Sequence, residues 1–173
     1  MTVDKLELKN LMGTAVLLDF SSLSGKLTAD ILENAFRNII TPEDTSILIL
    51  KTEAFSRKQE RKGESSYLGS YPGFHNMESG MEELYSPPYL EESGAAWIVK
   101  KGFKTIGIDN FSVDNFYSET LPAHHILLSS NVNIVECLEL GSVEAGTYFF
   151  LCLPLKIEGC DGAPARALLI SYA

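Results

Sequence analysis

Two short, almost uninterrupted apolar runs constrain the fold of this chain most. They are Ala15–Phe20 (AVLLDF) and Ser46–Leu50 (SILIL), and runs of this kind suit buried strands. Between them Ile31, Leu32, Ala35, Phe36 and Ile39 recur at helical spacing, with Thr28 placed to cap that helix and Thr41-Pro42 to end it. A second helix is predicted over Tyr89–Lys101, after Pro87-Pro88. Glu91 and Glu92 suit its positive end, Lys100-Lys101-Gly102 its C-terminus, and Gly94 is a small local penalty. Further strands are predicted at Phe103–Ile108, Val132–Glu136, Thr147–Leu153 and Ala165–Ile170, with a short helix over Ala123–Ser130. Strands and helices that alternate in this way predict a mixed α/β fold. The stretch from Ser56 to Ser86 breaks the rhythm, first with mixed charge and then with Gly, Ser, Tyr and Met. A connection this long is expected to be a functional lid, an oligomer contact or a disordered excursion, and its charged part a solvated loop.

The chain's 173 residues fit one domain, and a 45% hydrophobic composition supplies a continuous core. A formal charge of −9 argues against nucleic acid as a partner, because phosphate backbones select basic patches. No apolar stretch approaches the roughly 20 residues of a membrane span, and MTVDKLELKN does not read as a secretory leader. Cys137, Cys152 and Cys160 lie in or beside apolar stretches and read as buried free thiols. A cytoplasmic protein without membrane contact is expected.

No phosphate-binding glycine loop, CxxC pair, HExxH helix or GxSxG elbow is present. Acid–base or metal chemistry therefore falls to the histidines and carboxylates. The richest cluster is LPAHHILLSSNVNIVE, where Pro122 opens a helix that carries His124 and His125 in its first turn. A turn at Ser130-Asn131 then leads into a strand ending at Glu136. Helix and adjacent strand can bring His124 to Glu136, and imidazole plus carboxylate is a common ligand pair for Zn²⁺ or Mn²⁺. The plainer alternative is a hydrogen-bonded core histidine and an exposed strand-end glutamate. Asp109 and Asp114, in GIDNFSVDNF, are expected to serve a strand end and a turn. Arg166 follows the turn EGCDGAPAR, Cys137 should point away from Glu136 across the strand, and His75 reads as a surface-loop histidine.

The segments PYLEESGAAWIVKKGFKTIGIDNFSVD, LPAHHILLSSNVNIVECLEL and LPLKIEGCDGAPARALLI, in that order, resemble the cyclase-like metal-dependent hydrolases, which include bacterial kynurenine formamidase. The resemblance covers about Val3 to Ile170. It implies a single domain over 1–173 with the family's swivelling β/β/α fold and a mixed sheet, and a homo-oligomer. The implied reaction is hydrolysis of a small-molecule amide, such as N-formylkynurenine, with divalent zinc or manganese as cofactor. It also implies that His124 and Glu136 are metal ligands. The family's remaining ligands lie in a His-x-Gly-Thr-His-x-Asp motif followed by an acid–base histidine, whereas no histidine precedes His75 here. TVDKLELKNLMGTAVLLDFS resembles the stretch that directly follows that motif. Two expectations result: an incomplete amide hydrolase that holds metal weakly, lacking the family's N-terminal strands, or a catalytically silent homologue acting in binding or assembly.

Overall fold

The computed structural model describes residues 2–52 and 87–172. The excursion at 56–86 and His75 lie outside these described residues.

Strand β1 (Met12–Asp19) lies parallel to β3 (Ile47–Lys51), with Ala15 opposite Ile47. Between them the chain forms the two-residue strand β2 (Lys26–Leu27) and helix α1 (Ala29–Phe36). After β4 (Tyr89–Leu90) come α2 (Glu92–Lys101), β5 (Thr105–Ile108), α3 (Pro122–Ser129) and β6 (Asn133–Val135). β7 (Gly146–Pro154) and β8 (Ala165–Ser171) then add an antiparallel flank. The six-stranded sheet runs β6-β5-β3-β1-β7-β8, parallel from β6 to β1 and antiparallel from β1 to β8. A mixed α/β fold was expected, and this is one.

The apolar runs are explained by burial on both faces of β1 and β3, since successive strand residues point to opposite sides. Val16, Leu18, Leu48 and Leu50 pack under the helices with Leu32, Trp97, Ile98 and Leu127. Ala15, Leu17, Ile47 and Ile49 meet Leu138, Leu140, Phe150 and Cys152 on the other face.

Several boundaries differ from the sequence expectation. α1 stops at Phe36 rather than at Thr41, because the Asn38 and Ile39 N–H groups tighten onto the carbonyls three residues back, of Ala35 and Phe36. Thr28 does cap it, accepting from the Ile31 N–H at 3.5 Å. Tyr89–Leu90 is not helical but pairs with β2, and α2 starts only at Glu92, with Glu91 accepting the Ser93 N–H at 2.8 Å. Gly94 is no mere penalty either: a Cβ there would sit 2.3 Å from the Leu27 carbonyl oxygen, so glycine lets α2 cross β2. Of the thiols expected to be buried, only Cys152 is; Cys160 is partly covered and Cys137 exposed.

Among the described residues the helices cover the sheet as far as β1. Beyond it, on the same face, Met12 pairs across to Leu151 and Leu168, and Phe149 to Ile170. Leu153, Leu168, Ile170 and Tyr172 are each between 46% and 58% exposed, which makes this flank largely apolar, with the exposed Arg166 opposite Leu153 at one end.

Candidate metal centre

α3 begins abruptly. Its N-cap is Leu121, held in the left-handed region (φ 44°) without a side-chain hydrogen bond to the helix, and Pro122 fills the first turn. The exposed N–H groups of that turn need an acceptor. Asp114, ten residues before His124 and almost wholly buried, supplies it: Oδ1 accepts from the Ala123 N–H at 2.7 Å and Oδ2 from the His124 N–H at 3.0 Å. The buried Ala123 and Leu127 anchor the helix in the core, which leaves His124 at its edge and His125 in solvent.

β6 runs beside β5 and stops at Val135, so Glu136 sits just past the strand end. Its Oε1 accepts from the Val113 N–H at 2.9 Å and lies 3.3 Å from His124 Nε2. On the other side of the ring, Nδ1 is 2.7 Å from Asp114 Oδ2. The imidazole is thus held between two carboxyl groups. Hydrogen bonding to Glu136, and then to Asp114, raises the His124 pKa to about 8, although burial opposes the charge.

The two residues expected to meet, His124 and Glu136, are brought together; His125 is not part of the cluster. Asp114 does far more than serve a turn, and its role was missed. The available clue was a helix opening on Leu-Pro with no capping side chain of its own. Asp109 accepts from both the backbone and the hydroxyl of Thr52, at 2.7 and 2.6 Å, and so ties the ends of β5 and β3 together. Cys137 cannot be placed by strand alternation, because the strand has ended and its own φ is +61°; its N–H donates to the Asn110 carbonyl. Arg166 is exposed on β8, at the opposite edge of the sheet from β6.

With ligand bonds of about 2.0–2.2 Å and tetrahedral angles, two donors on one ion stand about 3.4 Å apart. The Nε2–Oε1 separation of 3.3 Å fits that spacing. The second ring nitrogen on a buried carboxylate also suits a metal-binding histidine. Among the described residues, however, no group of three or more His, Cys, Asp or Glu side chains is arranged to hold a metal ion. A cleft of about 290 Å³ opens beside Asp114 and Pro122, walled by Lys26, Tyr89, Glu91 and Tyr117. No helix among the described residues is long and apolar enough to cross a membrane.

Known proteins similar to this chain identify its family and fold. The chain is 34% identical over 170 residues to Cyclase-like protein 2 of Oryza sativa subsp. japonica, a match covering 97% of this chain and 54% of the relative. It is 38% identical over 85 residues to kynurenine formamidase of Bordetella avium, covering 49% of this chain and 38% of that protein. The solved structure of a potential metal-dependent hydrolase with cyclase activity superposes with a TM-score of 0.69 at 25% identity, over 98% of this chain and 70% of the other. The chain spans about half the length of the plant relatives it matches. The Cyclase family model matches residues 1–115, two thirds of the chain, and together with the fold this shows that the chain belongs to the Cyclase family.

Proposed function

We propose that this chain contributes a His–Glu pair to metal-dependent hydrolysis of a small amide, as the kynurenine formamidase relatives suggest. The observation that carries the reading is the 3.3 Å approach of His124 Nε2 to Glu136 Oε1, with Nδ1 turned to Asp114. His124 and Glu136 would hold a zinc or manganese ion, and such an ion supplies an acidified water and a polarised carbonyl. The residues of the chain have positional tasks. Asp114 turns the ring, the Val113 N–H holds the Glu136 carboxylate, and the cleft beside α3 leaves room for a small substrate. A catalytic zinc generally takes three protein ligands, and the described residues supply two.

The expected result of titrating Zn²⁺ or Mn²⁺ into the purified chain by calorimetry is weak binding, reversed by chelator and lost in His124→Ala and in Glu136→Ala. With the ion present, N-formylkynurenine should be hydrolysed below an enzymatic rate, since loss of general acid–base help alone removes about 10²–10⁴ in rate. Variants that bind the ion as well as the parent would overturn the assignment. Fast turnover would show that further groups complete the site, and His75 is the first to replace.

A second reading, an assembly role, is favoured by the exposed apolar side chains on the flank of β7 and β8. The exposed parts of Met12, Leu153, Leu168, Ile170 and Tyr172 amount to on the order of 500 Å² of apolar surface, within the size of functional patches and over half of one side of a standard interface. A second copy of the chain is the occupant we propose. Light scattering at micromolar concentration should show a dimer, and Leu168→Glu with Ile170→Glu should give a monomer. A parent chain that is already monomeric would refute this.

A further inference from the structure

One short turn holds both members of the His–Glu pair. Val113 is wholly buried, and its carbonyl accepts the Leu90 N–H at 2.7 Å, which ties the turn to β4. Its own N–H donates to Glu136. The next residue, Asp114, donates its N–H to Ser112 Oγ at 3.1 Å and directs its carboxyl group at α3. We propose that Asp114 is a positioning residue that fixes the tautomer and direction of the His124 ring, keeping the proton on Nδ1 and leaving Nε2 to the Glu136 side. The proposal deepens the ion-binding reading above, but its first measurement does not depend on it.

Capping alone would not need this geometry. A cap has to satisfy only the Ala123 and His124 N–H groups, and both are already met. Oδ2 makes an additional contact to the ring, at 2.7 Å, from a side chain that is 1% exposed. A carboxylate has no hydrogen to donate to a neutral ring, so Asp114 and Glu136 can each only accept. With Asp114 Oδ2 2.7 Å from Nδ1 and Glu136 Oε1 3.3 Å from Nε2, the closer carboxylate takes the one ring proton. The neutral imidazole is therefore held with its Nε2 lone pair free for a ligand. Buried as it is, Asp114 has little freedom to swing away, and α3 could not keep its first turn if it did. Ring direction and helix start are set by the same two oxygens.

Asp114→Asn separates the two tasks. Asparagine can still accept one helix N–H, but its amide presents a donor in place of one oxygen. A donor facing Nδ1 favours the Nε2–H tautomer, which removes the lone pair needed on the Glu136 side. The experiment is ¹⁵N NMR of the histidine rings, with chelator, at a pH above 9 so that His124 is neutral. The parent chain is expected to show His124 with Nδ1 protonated, and the variant a shift towards Nε2–H. Zn²⁺ affinity, where the parent binds it, should fall by about 10–100-fold in the variant, as for other outer partners of metal-binding histidines. A parent spectrum with Nε2 protonated, or a folded variant with the parent's ring spectrum, would overturn the proposal. The parent spectrum decides even if the variant does not fold. Failure to bind Zn²⁺ with an Nδ1–H ring would sink the ion-binding reading and leave this one standing.

Discussion

Gly94→Ala is expected to destabilise the chain by about 3 kcal/mol, opposite in sign to its effect in an ordinary helix. On an exposed helix the same change gains up to about 1 kcal/mol from the lower backbone entropy of alanine. Here the added methyl would meet the Leu27 carbonyl oxygen at 2.3 Å and the Leu32 Cδ1 at 3.4 Å. The first of these is backbone, and it is bound: the Leu27 carbonyl accepts the Glu91 N–H at 3.2 Å. Relief therefore requires α2 to move away from β2 and from the core around Trp97 and Ile98. For a chain of this size the thermal midpoint should drop by roughly 10 °C. Gly102→Ala is the control. That residue has φ +86° in open space, so only left-handed strain applies, about 1–2 kcal/mol. Gly94→Ala at least as stable as the parent would show that α2 is not seated as described.

Stability of the metal-free chain should fall as pH rises from 6 to 8.5, and His124 is the cause. Its pKa is 6.5 when unperturbed and is raised to about 8 in the folded chain, chiefly by Glu136 and then by Asp114. The folded state therefore binds the proton more tightly than the unfolded state. The resulting stabilisation is fully present below about pH 6.5 and is lost as pH passes through 8. A shift of this size corresponds to about 2 kcal/mol at most. Burial pushes the Cys152 and Cys137 thiols up from their ordinary 9.0, so ending the series at pH 8.5 keeps them out of the measurement. Urea unfolding in chelator, compared with His124→Gln, tests the effect. A parent whose stability is flat over this interval, or a variant with the same slope, would remove His124 as the source.

The alternation of strands and helices could be read from the chain because apolar spacing reports burial directly. A run such as Ile47–Leu50 has no polar face to show water, and the structure puts neighbours on both sides of it. Thr28 at the start of α1 and Gly102 at the end of α2 were legible for a similar reason, since cap chemistry lies within a turn of the residues it serves. Tyr89–Leu90 misled because its pairing partner, Lys26–Leu27, is more than sixty residues away. A two-residue strand carries no period of its own.

For the site, the sequence by itself determined which side chains were available: one paired histidine motif, one glutamate at a strand end, one aspartate at another strand end and one in the turn after it. It also favoured a helix and a strand that could bring His124 near Glu136. The family resemblance already singles out His124 over His125; the tertiary structure adds the contact itself, which depends on which helix face Ala123 and Leu127 bury. Only the tertiary structure brought Asp114 to His124, through a helix that lacks a capping side chain at its own N-cap. It likewise decided that Gly94 is required, since a close approach of two backbones leaves no mark on either segment alone. Local propensity and periodicity act over a few residues and are written along the chain, whereas hydrogen bonds and contacts between distant segments exist only once the chain has closed on itself.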